Sequence, residues 1–213
     1  YAAPSPVLEE DALYVHFGTY GTARIDPATG EKVWERRDIN ARHYRGPGSS
    51  PIIHGDLLIL TFDGIDQQYV TALDKKTGKS VWKTTRTTDY GDLDKEGKPT
   101  RDGDMRKAYH TPAVFEIGGK EVLVSVGSRA AFGYEVKTGK ELWRNVIFEG
   151  GLQWDNKSNL ASPSAATDGE RVVFLFANAI VACFDYDGKE LWKRDIKETH
   201  GAFATQWTYG SSP

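Results

Sequence analysis

The sequence predicts an all-β chain, a β-propeller of four-stranded antiparallel blades, and three observations carry that expectation. A pattern that places glycine four residues before tryptophan occurs four times. Proline recurs once per repeat where a strand should begin. The apolar residues fall in short β-branched and aromatic runs such as Leu57 to Leu60, and no stretch carries a helical period.

The first observation is the most specific. The copies are Asp26, Thr29, Gly30 and Trp34; Asp74, Thr77, Gly78 and Trp82; Glu135, Thr138, Gly139 and Trp143; and Asp185, Asp187, Gly188 and Trp192, the last one residue shorter. Tryptophan follows tryptophan after 48, 61 and 49 residues, which suits a four-stranded blade with a long loop inserted in the middle step. A tight hairpin needs one residue at positive φ, which glycine supplies at least cost, and Asp and Thr beside it can hydrogen-bond the turn backbone. The tryptophan then falls on the outermost strand. There it can bury on the order of 200 Å², worth several kcal/mol at about 25 cal/mol per Å². Trp34, Trp82, Trp143 and Trp192 are therefore read as structural staples between blades.

The second observation sets the boundaries. Pro6, Pro51, Pro112, Pro163 and Pro213 mark strand starts, where a missing N–H is tolerated. Blades are expected at about 1–45, 46–107, 108–158 and 159–210, with a fifth starting at 211. Within the second blade the strands are placed at 50–54, 57–62, 69–73 and 80–84, from the innermost to the outermost.

At these residues the chain resembles the pyrroloquinoline-quinone-like (PQQ-like) β-propeller repeat family, whose hallmark is an Ala-x-Asp-x-x-Thr-Gly-x-x-x-Trp motif; Ala72 through Trp82 is the best match. The resemblance covers essentially the whole chain. It implies a closed ring of seven or eight blades, of which this chain would supply four, so that both ends of the row need the remainder of a larger propeller or another copy. It also implies a periplasmic or extracellular setting. The family includes outer-membrane assembly lipoproteins that only bind partners and quinoprotein dehydrogenases that oxidise alcohols or sugars.

Composition narrows the function classes. The net charge is −3 and the basic residues are dispersed, so the stripe of positive charge that nucleic acid requires is absent. No run is long and apolar enough to span a membrane. Cys183, the one cysteine, lies in an apolar run and reads as a small buried hydrophobe. Thr77 to Ser80 imitates a phosphate-binding loop, but the first glycine of that motif is replaced by Leu73 and a strand follows instead of a helix.

The loops joining one blade to the next emerge on one face, and that face collects the aromatic and basic residues. Arg42, His43, Tyr44, Arg45, Tyr109, His110, Trp154, Trp207 and Tyr209 are the candidate binding residues, since rigidly mounted loops carry recognition and Tyr, Trp and Arg dominate interface energies. His110, just before a strand, could line the axial channel. In the long second loop, Asp92, Asp94 and Glu96 precede Gly97 with the spacing of a calcium loop, although Gly103 stands where a bidentate acid would close it. A plain polar loop is the alternative. The resemblance implies neighbouring cysteines, or Glu, Asn and Asp around a metal, in quinone-dependent members. Only Asp155 and Asn156 sit together on the loop face. PQQ is thus not expected, and the sequence favours non-catalytic binding of a protein or glycan over a fragment of a PQQ-dependent dehydrogenase.

Overall fold

A computed structural model describes residues 4–43, 46–147, 164–176 and 178–201. The described residues form four sheets, each of four antiparallel strands in sequence order. Blade 1 comprises β1 (Val7–Glu9), β2 (Ala12–His16), β3 (Thr22–Ile25) and β4 (Lys32–Arg36). Blade 2 comprises β5 (Ile52–His54), β6 (Leu57–Asp63), β7 (Gln68–Asp74) and β8 (Ser80–Thr85). Blade 3 follows with β9 (Ala113–Ile117), β10 (Lys120–Val126), β11 (Ala130–Tyr134) and β12 (Glu141–Val146). Blade 4 holds β13 (Ala166–Thr167), β14 (Val172–Leu175), β15 (Ile180–Phe184) and β16 (Glu190–Asp195).

The repeated motif forms the turn between the third and fourth strands in every blade. Gly30, Gly78, Gly139 and Gly188 have φ of 74°, 72°, 70° and 77°, a left-handed conformation that side chains with a Cβ adopt only under strain. The acid caps the turn: Asp26 Oδ1 accepts from the amides of Ala28 (2.8 Å) and Thr29 (3.1 Å), and Asp74 Oδ1 from Thr77 (2.7 Å). Just before each turn the pairing slips by one residue, at Arg24/Ile25, Ala72/Leu73, Gly133/Tyr134 and Cys183/Phe184, so the bulge is part of the repeat.

The glycines of blades 2, 3 and 4 have a second role, because the tryptophan of the preceding blade lies against each of them. A Cβ on Gly78 would stand 2.8 Å from the Trp34 ring, one on Gly139 2.3 Å from Trp82, and one on Gly188 2.3 Å from Trp143. The indole N–H then donates to the residue after the turn acid: Trp34 Nε1 to Lys75 O (3.1 Å), Trp82 to Val136 O (3.1 Å) and Trp143 to Tyr186 O (2.7 Å). Two residues beyond each tryptophan, a side chain donates to the glycine carbonyl: Arg36 to Gly78, Thr84 to Gly139 and Asn145 to Gly188, each at 2.6 Å. Blade thus locks to blade through one repeated joint.

The apolar cores lie at the same joints. One cluster unites Tyr14 and Trp34 with Leu58, Leu60 and Leu73; a second unites Ile59, Val70 and Trp82 with Leu123, Phe132 and Tyr134; a third unites Val122 and Trp143 with Phe174 and Phe184. Cys183 is buried at 1% exposure, and burial raises its thiol pKa, as befits a packing residue.

Two expectations need correction. Trp192 is not a staple among the described residues: it is 38% exposed, against 9% for Trp82 and 7% for Trp143, because no glycine turn lies over it. And one α-helix does form, α1 (Ile196–His200), whose N-cap Asp195 accepts from the Lys197 amide at 2.9 Å. The signal was local rather than periodic, an Asp three residues before Glu198.

Candidate functional site

The connections between second and third strands and those between blades meet on one face. The loop after β4 is pinned there by the Asp66 carboxylate, which accepts the Arg42 amide at 2.7 Å, and by Ile65, whose amide bonds the Arg42 carbonyl at 2.9 Å. Further on, Ser49 Oγ donates to the His110 carbonyl (2.7 Å) and the Ser50 amide to Thr111 Oγ1 (2.9 Å), which ties that loop to the start of blade 3. Gly48 lets Tyr109 come close, since a Cβ there would stand 2.5 Å from its ring.

This brings together three residues singled out by sequence. His43 and Tyr109 meet edge to face with centroids 5.2 Å apart, and Arg42 extends into solvent and reaches Asp102 at 3.4 Å. His110 is buried behind them. Tyr44, Arg45, Trp154, Trp207 and Tyr209 lie outside the described residues, as do Asp155 and Asn156.

The long loop after β8 is a folded cap. Tyr90 is buried, with the Arg106 guanidinium 5.5 Å from its ring centre, and Arg106 grips both carboxylate oxygens of the buried Asp92 at 2.8 Å. Asp94 Oδ1 accepts the amides of Glu96 (3.0 Å) and Lys98 (2.8 Å). Asp92, Asp94 and Glu96 therefore do not converge in the way the calcium spacing suggested: one carboxylate is spent on Arg106 and another on its own turn. Among the described residues no group of His, Cys, Asp and Glu is placed to hold a metal ion. Arg101, Asp102 and Gly103 follow one another at φ of 53°, 53° and 74°, and Gly103 sits where a Cβ would meet the Ile65 carbonyl at 2.6 Å. Close packing against blade 2 holds these residues in a strained conformation.

Below this surface lies an open pocket enclosing about 300 Å³, solvent included, lined by His16, His43, Ser49, Thr61 and Asp63 among others. His16 ends β2; its Nδ1 lies 2.8 Å from Thr22 Oγ1, while its Nε2 and Thr61 Oγ1 have no hydrogen-bond partner among the described residues. Burial drives the His16 pKa down to about 4, so the ring is neutral and offers one polar atom without charge. Asp63 ends β6. Burial lifts its pKa to about 6 against the pull of Arg86, whose Nη1 sits 2.7 and 2.6 Å from its two oxygens. Burial alone would lower Arg86, but the Asp63 charge outweighs it and holds the guanidinium protonated. Arg86 also donates to Ser125 Oγ of blade 3 at 2.5 Å. The pocket can hydrogen-bond a neutral polar group, and its one charge pair is internally compensated. Sequence reading missed His16, Asp63 and Arg86 because each sits at a strand end with nothing local to announce its partner.

The family model described as outer membrane protein assembly factor BamB matches residues 2–130 and, overlapping, 66–154. The chain belongs to this family of PQQ-like propellers. No curated protein matches this BamB-like chain in sequence. Among solved structures it is similar to BamB from Moraxella catarrhalis (TM-score 0.61, 15% identity, 92% of this chain and 49% of that one). It is also similar to a europium-containing methanol dehydrogenase (0.67, 13%, 91% and 41%) and to the quinohemoprotein alcohol dehydrogenase of Comamonas testosteroni (0.63, 14%, 91% and 35%). At these identities the likeness is one of fold. The BamB-like chain spans about half the length of the Moraxella catarrhalis protein. No helix among the described residues is long and apolar enough to cross a membrane.

Proposed function

We propose that this BamB-like chain is a non-catalytic scaffold that binds a protein partner outside the cytoplasm, through the face bearing Arg42, His43 and Tyr109. The observation that carries the reading is the cross-tying of this face: loops of successive blades are bonded to one another and to the strained cap, so the exposed Arg42 and the aromatic pair are held on a rigid base. A preformed surface of this kind binds with little ordering cost. The matching family description, an assembly factor, supports a protein partner over a glycan. The remaining candidates, Tyr44, Arg45, Trp154, Trp207 and Tyr209, belong to the same proposed face by their place in the sequence. Neither calcium at Asp92, Asp94 and Glu96 nor PQQ has a part in this reading.

The test is site-specific photo-crosslinking in the host cell envelope. A crosslinker at Arg42 or Tyr109 should capture a discrete protein, while one at Glu116, exposed on β9, should not. Equal capture at all three positions, or glycan adducts without protein, would remove the proposal. Quinone-dependent dye reduction with alcohols, after incubation with PQQ and calcium, should stay at background; turnover would reassign the protein as an enzyme.

A further inference from the structure

The second strand of every blade passes an equivalent position two residues beyond the one that pairs with the bulge. Tyr14 pairs with Arg24, Ile59 with Ala72, Val124 with Gly133 and Val173 with Cys183, so the equivalent residues are His16, Thr61, Val126 and Leu175. Their partners on the third strand are Thr22, Val70, Ala131 and Val181. Packing of the repeat is thus met by small or aliphatic pairs, and only blade 1 puts an imidazole and a hydroxyl there. His16 is 3% exposed, a costly place for a polar ring whose Nε2 has no hydrogen-bond partner among the described residues. The ring is also fixed, by Thr22 Oγ1 at 2.8 Å from Nδ1 and by Phe62, which it meets edge-on with centroids 5.2 Å apart. It lines the open pocket together with the apolar walls of Ala41, Pro47 and Ala108. Thr19 and Ser49, in the same lining, spend their hydroxyls on the carbonyls of Ala41 and His110, and Asp63 spends its charge on Arg86.

We propose that this pocket takes one uncharged donor–acceptor group, a side-chain carboxamide or hydroxyl of the protein partner, on the Nε2 of His16. The inference rests on the reading of the loop face as a protein-binding surface. The guest is uncharged because a buried ion would find a neutral ring, apolar walls and a carboxylate already compensated by Arg86. It both donates and accepts because the Nδ1 contact with Thr22 admits either tautomer, and Nε2 then takes the opposite role. It comes from the partner because His43 lines the pocket and is also in ring contact with Tyr109, so the pocket lies under the proposed face.

The probes are acetamide and two ions of the same shape, acetate and acetamidinium, titrated into the isotope-labelled 213-residue chain at neutral pH. Acetamide should shift the His16 Nε2 resonance saturably, and both ions should bind at least about tenfold more weakly. His16→Val installs the residue type that blade 3 holds at Val126, so the amide spectrum should persist while the acetamide response at Phe62 is lost. Thr22→Val, after Val70, keeps the imidazole but frees it, and should weaken acetamide several-fold. In the cell envelope, capture of the discrete protein by a crosslinker at Arg42 should fall about tenfold with His16→Val. A flat titration (an ordered water only), equal affinity for the three probes, or an acetamide response that survives His16→Val would overturn the inference. So would undiminished capture with His16→Val, which would make the guest a free small molecule. No capture at Arg42 would remove the partner reading and this inference together, whereas capture with a flat titration would remove this inference alone.

Discussion

The same residue type does different work at different positions along this chain. Trp82 is packed on Gly139, buried to 9% exposure and bonded to Val136 O, whereas Trp192, which also follows a turn glycine by four residues and precedes a lysine, is 38% exposed. Trp82→Ala should cost about 3–5 kcal/mol, the loss of a large ring plus the cavity it leaves. Trp192→Ala, measured by urea titration, should cost below about 0.5 kcal/mol, as for an exposed side chain. Equal losses at the two positions would mean that the glycine joint does not hold the blades.

At the scale of elements, the ends of β2 and β6 carry two buried titrating groups whose pH effects oppose each other. His16 has a folded pKa of about 4, below its unfolded value, so between about pH 6.5 and 4 the unfolded chain takes up a proton that the fold refuses, and stability falls with the pH. Asp63 has a folded pKa of about 6, above its unfolded value, so through the lower part of that window the fold takes up the proton first and gains stability as the pH falls. The comparison that isolates the imidazole is wild type against His16→Gln. The wild type's stability relative to the variant should drop by about 3 kcal/mol from pH 6.5 to 4, the equivalent of about 2.5 pKa units. A difference that stays constant across the range would show that the ring is not held neutral. The strand ends thus put a neutral imidazole, a hydroxyl and a compensated carboxylate around the pocket.

Across the whole molecule, stability follows nearest neighbours, as expected for a row of repeats. Among the described residues, blades 2 and 3 share apolar clusters with neighbours on both sides, and blades 1 and 4 on one side. In the 213-residue chain hydrogen exchange should therefore be slowest in β6, β7, β10 and β11 and faster in the corresponding strands of blades 1 and 4; uniform protection would contradict this gradient. Much of the fold was legible beforehand, because the information is local and repeated: the glycine turn is set by a few adjacent residues, and the strand limits read for blade 2 agree with β5 to β8 within about two residues. Of the proposed binding face, Arg42, His43 and Tyr109 were read from loop position, and His43 and Tyr109 are in ring contact. The blade, its turn and its tryptophan follow from adjacent residues. Which tryptophans are covered, the pairing of Asp92 with Arg106, and the mutual neutralisation of Asp63 and Arg86 beside His16 come from long-range packing. These outcomes depend on groups far apart in the chain, and burial, which sets both the packing energy and the pKa values, exists only once the blades are side by side.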